Sequence, residues 1–165
     1  MQQSLRMALY VMTNELRIAG YDPESISNAG ITNAGDGSTG NPLTFTFVAD
    51  DDGEDNDNDG TTDETGELKT IGYDLYLGLG DGDTDIGRKV GAGNRMPLAE
   101  NIQDLKFEYF DEEGASILNP LAADIPDIRS LRITIEATID SNEKNYLNVN
   151  NRILTTTVKF RNLGL

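Results

Sequence analysis

The chain has 165 residues, 37% of them hydrophobic, and a formal net charge of −16. That length suits one domain with an adequate core, while the charge makes nucleic acid and anionic bilayers poor partners and favours cations or basic protein surfaces. Cysteine and histidine are both absent, which excludes disulfides, thiolate metal sites and any Ser-His-Asp or Cys-His centre, and leaves only carboxylate, Lys or Tyr chemistry.

Residues 1–20 read as one amphipathic helix. Leu5, Leu9, Met12, Leu16 and Ala19 share a stripe at helical spacing, and Arg6, Tyr10, Thr13 and Arg17 lie on another side. Gly20 stands where a left-handed C-cap is wanted, and Pro23 stops the helix. Such a helix needs an apolar partner surface. Residues 24–42 are rich in Gly, Asn, Ser and Thr and read as a surface connection. Leu43–Val48 alternates as a strand, with Leu43, Phe45 and Phe47 on one face. Residues 49–66 form an acidic loop, and residues 68–77 resume a strand with Ile71, Tyr73, Leu75 and Leu77 on one side. Residues 78–87 read as a Gly/Asp turn, and residues 88–91 as a short strand. The stretch 102–110 is a strand with Leu105, Phe107 and Tyr109 inward. Pro120 and Pro126 make residues 115–127 irregular. Residues 128–139 give the strongest strand, with Leu131, Ile133, Ile135, Ala137 and Ile139 buried. A polar connection over 140–151 leads to a last strand over 153–161. The expected fold is α+β: a single domain, with the N-terminal amphipathic helix (1–20) packed on a mostly antiparallel sheet (43–165).

Three blocks resemble a known family. The run from Leu5-Arg6-Met7-Ala8-Leu9 to Glu15-Leu16-Arg17-Ile18-Ala19-Gly20-Tyr21-Asp22-Pro23 resembles the segment after the membrane helix in PilW-like minor pilins of type IV pili. Residues 97–110 with the acidic turn Asp111-Glu112-Glu113-Gly114, and the strands around Leu131 and Phe160, resemble later parts of that family. The resemblance implies a pilin-like fold and a non-enzymatic subunit. It implies processing by prepilin peptidase, an inner-membrane anchor with a periplasmic domain, and other minor pilins as partners in priming assembly at the filament tip. The basic leader, cleavage site and apolar helix of a pilin do not appear in this sequence, and no window approaches the roughly 20 apolar residues of a membrane span. The expectation is that these parts have been removed; the other reading is a complete small protein starting at Met1. Two rival functions stay open: a J-type pseudopilin of type II secretion, and a free calcium-binding adhesion or carbohydrate-recognition module.

The acidic loop from Asp50 to Glu64 holds nine acidic residues and no basic one. Like charges so concentrated are destabilising unless a cation or open solvent relieves them. Within it, Asp55, Asp57, Asp59 and Gly60 have the Asp-x-Asp-x-Asp-Gly spacing of a calcium loop, with the Thr61 carbonyl as the next ligand and Asp63 at the ninth position. Gly66 stands where the bidentate glutamate of an EF-hand belongs; Glu64, Glu67, Asp50, Asp51 and Asp52 are the candidates to replace it. Oxygen ligands without His or Cys select Ca2+ over zinc or copper. The expectation is therefore a structural Ca2+ on Asp55, Asp57, Asp59, Thr61 and Asp63. A second alternating run, Asp81, Asp83 and Asp85, has Ile86 at the glycine position and suits an ordinary turn. Paired carboxylates without Trp argue against a glycosidase. The glycines around Leu79 lack the Gly-Lys-Ser/Thr ending of a phosphate loop. No small-molecule substrate is expected.

Overall fold

The structure, a computed structural model, describes residues 2–50, 52–56, 59–78, 82–137 and 152–163. Helix α1 spans Gln2–Ile18. The strands are β1 (Ile31–Ala34), β2 (Leu43–Val48), β3 (Leu68–Leu77), β4 (Thr84–Val90), β5 (Met96–Ala99), β6 (Ile102–Phe110), β7 (Ser116–Ile117), β8 (Ser130–Ala137) and β9 (Arg152–Lys159). They form two sheets, ordered β1-β2-β3-β4-β5 and β7-β6-β8-β9, with every pairing antiparallel.

This corrects the α+β expectation. The described chain is predominantly β, with two sheets rather than one and a single α-helix laid against them. The division falls at Asn101, whose φ of 60° is left-handed. Asn tolerates that conformation, and it stands in the two-residue link between β5 and β6. Strand β6 lies in the second sheet and pairs with β8. The strand expected over 102–110 is β6, and residues 97–99 ahead of it belong to β5 in the other sheet. The connection 24–42 contains β1, and β4 begins at Thr84, inside the expected turn. Ile139 and the connection 140–151 lie outside the described residues.

The helix was legible. Leu5, Met12, Leu16 and Ala19 are buried, joined by Ala8, while Leu9 is partly covered. Fully burying a large apolar side chain contributes about 1.5–3 kcal/mol, so this stripe holds α1 where propensity alone would not. Gly20 adopts φ 77°, and a Cβ there would stand 2.6 Å from Leu163 Cδ2. The Gly20 amide donates to the Thr46 carbonyl (2.9 Å) and the Val48 amide to the Tyr21 carbonyl (2.8 Å), tying the helix exit to β2. One core is shared by α1 and the inner faces of both sheets.

The stretch 35–37 joins the two sheets. The Phe107 amide donates to the Asp36 carbonyl (2.9 Å), and the Leu75 amide to the Gly37 carbonyl (2.9 Å). The Tyr109 hydroxyl donates to the Gly35 carbonyl. Gly37 has φ 92°, and a Cβ there would lie 3.0 Å from both the Leu105 carbonyl oxygen and the Phe107 ring. Composition made this stretch look like surface; its backbone is a bridge between β3 and β6.

Candidate functional site

The acidic loop is organised by backbone amides turned toward carboxylates. Asp55 accepts from the amides of Asp59 (3.1 Å) and Gly60 (3.0 Å), and Asp59 accepts from the Thr61 amide (2.8 Å). Gly60 has φ 101°, the conformation that only glycine adopts cheaply. At the loop's base Glu67, 2% exposed, accepts from the amides of Asn56 and Asp63. Asp50 accepts from the amides of Gly66 (2.9 Å) and Glu67 (3.0 Å). The Ser27 hydroxyl donates to the Gly66 carbonyl (2.6 Å) and pins the loop to the segment after α1.

Lys69 is the cation within reach of this loop's described carboxylates, at 2.6 Å from Asp52 and 2.8 Å from Glu54. Hydrogen bonding to Lys69 holds the Asp52 carboxyl below its ordinary value. Burial works against the Lys69 ammonium, but its hydrogen bonds to Asp52 and Glu54 outweigh that and raise its pKa.

Of the expected calcium ligands, Asp55, Asp59 and Thr61 fall on one turn. Asp63 accepts from the Gly53 amide (2.8 Å) across the loop. Asp57 lies outside the described residues, as do Asp51 and Asp81. Among the described residues no group of three or more acidic side chains is gathered closely enough to hold a metal ion. Glu67 and Asp50, considered as replacements at the missing twelfth position, have their oxygens turned to backbone amides. In the second Asp run, Asp85 is a buried β4 residue. Its alternation with Asp83 places both on one side of the chain as β4 begins, the period-two geometry of a strand.

Two ion pairs escaped the sequence reading because their partners are remote along the chain. Glu15 on α1 meets Arg88 on β4 at 2.7 Å and accepts the Tyr73 hydroxyl from β3. The hydrogen bond to Glu15 raises the Arg88 pKa. Burial, then the Glu15 charge, pushes the Tyr73 phenol up. Asp74, nearly sealed from solvent, takes a bidentate grip from Arg95 at 2.8 and 2.6 Å. A cavity of about 460 Å3 lies between the 33–41 segment and β6–β7. Asp36, Ser38, Asp104, Lys106, Ser116 and Asn119 are among its polar walls, and the Ser38 hydroxyl donates to Asp36 (2.6 Å).

The outer face of α1 is the other candidate. Met7 is 57% exposed, Tyr10 65% and Ile18 40%, all opposite the buried stripe, and Arg6 and Arg17 flank them in solvent. Met7 and Ile18 were not singled out in the sequence, because the inner stripe already accounted for the helix. No protein-family model matches the chain, and no curated protein matches it either. Among the described residues no helix is long and apolar enough to cross a membrane.

Proposed function

We propose that this chain is a non-enzymatic assembly subunit of the bacterial cell envelope, the role that the minor-pilin resemblance implies, and that the outer face of α1 meets a neighbouring subunit. The observation that carries this reading is the apolar outer stripe of Met7, Tyr10 and Ile18, which the fold leaves uncovered. Large apolar side chains grouped on one helix face and rimmed by charge suit a protein contact. Arg6 and Arg17 make that face locally basic on a chain of net charge −16, and Glu15 is turned away to Arg88. The neighbour therefore presents an acidic surface. Absent histidine and cysteine support the non-enzymatic part. Replacing Arg17 by Glu tests the contact: assembly should weaken while the domain stays folded, and unchanged assembly would count against the reading.

A second part of the proposal is a structural Ca2+ in the acidic loop. The turn at Asp55, Asp59, Gly60 and Thr61 favours it, because it sets three of the expected ligand positions on one turn with Gly60 at the sharp bend. A bound ion would relieve the like charge that Lys69 alone cannot. At a free concentration of 100 Kd, calcium would add about 2.7 kcal/mol to stability. A chelator-reversible rise in melting temperature is the expected result, and no shift at millimolar calcium would remove the ion from the account.

A further inference from the structure

The outward face of the first sheet has two glycines in its central strands, and they are not equivalent. Gly87 on β4 pairs with Asp74, and Gly72 on β3 pairs with Lys89 and with Thr44. A Cβ at Gly87 would stand 2.8 Å from the Tyr76 ring and 3.2 Å from Arg95 Cδ. Its missing side chain is thus used by the fold: Tyr76 and the Arg95 stem close over bare backbone. At Gly72 a Cβ would meet only Thr44 Oγ1 at 3.5 Å and the Leu43 carbonyl oxygen at 3.8 Å, ordinary contacts. Its φ is not in the left-handed region. Neither backbone conformation nor intramolecular packing requires glycine here, and glycine weakens a strand interior. A bare strand position lets a ligand approach the backbone closely.

Polar and charged side chains stand around Gly72. The cavity over it measures about 240 Å3 and is lined by Thr44, Thr70, Asp74, Lys89 and Arg95. That is below the roughly 300–1,000 Å3 of pockets for larger ligands, so one small unit fits. Thr44 and Thr70 each offer a hydroxyl that both donates and accepts. Asp74 and Arg95 are locked in their bidentate pair and hold one wall rigid. Lys89 has no ion-pair partner among the described residues, in a chain where acidic side chains outnumber basic ones 29 to 13.

We propose that the Gly72 trough is a binding site for one unit of an acidic saccharide, a hexuronate. The ring lies on the bare Gly72 backbone, its hydroxyls pair with Thr44 and Thr70, and its carboxylate meets Lys89. The site binds and does no chemistry. It is independent of the assembly role and of the calcium loop, so their failure leaves it standing.

The test is an amide-resolved NMR titration of the isotope-labelled chain with D-glucuronate, D-glucose and inorganic phosphate in parallel. Glucuronate should give saturable shifts at Thr70, Gly72 and Lys89 at millimolar concentration, glucose should bind at least tenfold more weakly, and phosphate should leave Gly72 unmoved. Gly72→Val should keep the spectrum of a folded domain and lose the response. Lys89→Gln, which alters only a side-chain tip, should weaken glucuronate at least tenfold. The proposal is overturned by absent saturable shifts, by equal response to phosphate or glucose, or by retained binding in either variant.

Discussion

The inner and outer faces of α1 both carry large apolar side chains, and only the inner one is used by the fold. Leu5, Met12 and Leu16 are sealed against the two sheets, while Met7, Tyr10 and Ile18 stand in solvent on the opposite side. Apolar content therefore does not separate a folding face from a face left for others. What separates them is complementarity: the inner face meets a shared core and a polar clasp, Glu15 with Arg88 and Tyr73. The outer face meets neither, and its charges, Arg6 and Arg17, have no ion-pair partner among the described residues.

The contrast can be broken by mutation. Leu16→Ala should cost about 2–5 kcal/mol, the range for truncating a buried leucine, read as a lower urea midpoint at constant slope. Glu15→Gln comes next. It leaves Arg88 without its carboxylate in a partly buried site and should cost about 1–3 kcal/mol; a neutral result would reduce the clasp to a surface pair.

Alkaline titration sharpens the same comparison. The Tyr73 pKa is raised above its ordinary 10.0 by burial and by the Glu15 charge. The folded state therefore holds the phenol proton where the unfolded state releases it. Its contribution is full below pH 10.0 and is lost as pH rises through the folded value. Tyr73→Phe should flatten that alkaline loss, as seen by denaturation midpoints on either side of pH 10.0. The smallest effect belongs to the outer face. Met7→Ser and Ile18→Ser should each change stability by no more than about 0.5 kcal/mol. A loss as large as that of Leu16→Ala would mean that the outer stripe serves the fold after all.

Legibility followed periodicity. The inner stripe of α1, the cap at Gly20 and the buried alternation of Leu131, Ile133 and Ile135 follow from spacing alone, and the structure has them. The two-sheet division was not legible, because it falls at one left-handed residue, Asn101, and involves two- to four-residue strands such as β7, β1 and β5. Strands that short carry too few alternating positions to rise above loop composition. In the acidic loop the alternating Asp spacing was visible, but the pairing of Lys69 with Asp52 and Glu54 depends on how β3 starts beside the loop. Gly72 gave no signal at all: a strand glycine becomes informative only when the space above it is known.

The most direct test of the assembly role is site-specific photocross-linking from position 10, in the middle of the outer stripe, in the cell that makes the protein. Tyr10→p-benzoylphenylalanine should yield a discrete cross-link whose peptide comes from an acidic surface of another envelope subunit, and position 12, on the sealed face, should yield only intramolecular products. Equal yields from both positions, or no intermolecular product from position 10, would contradict the account.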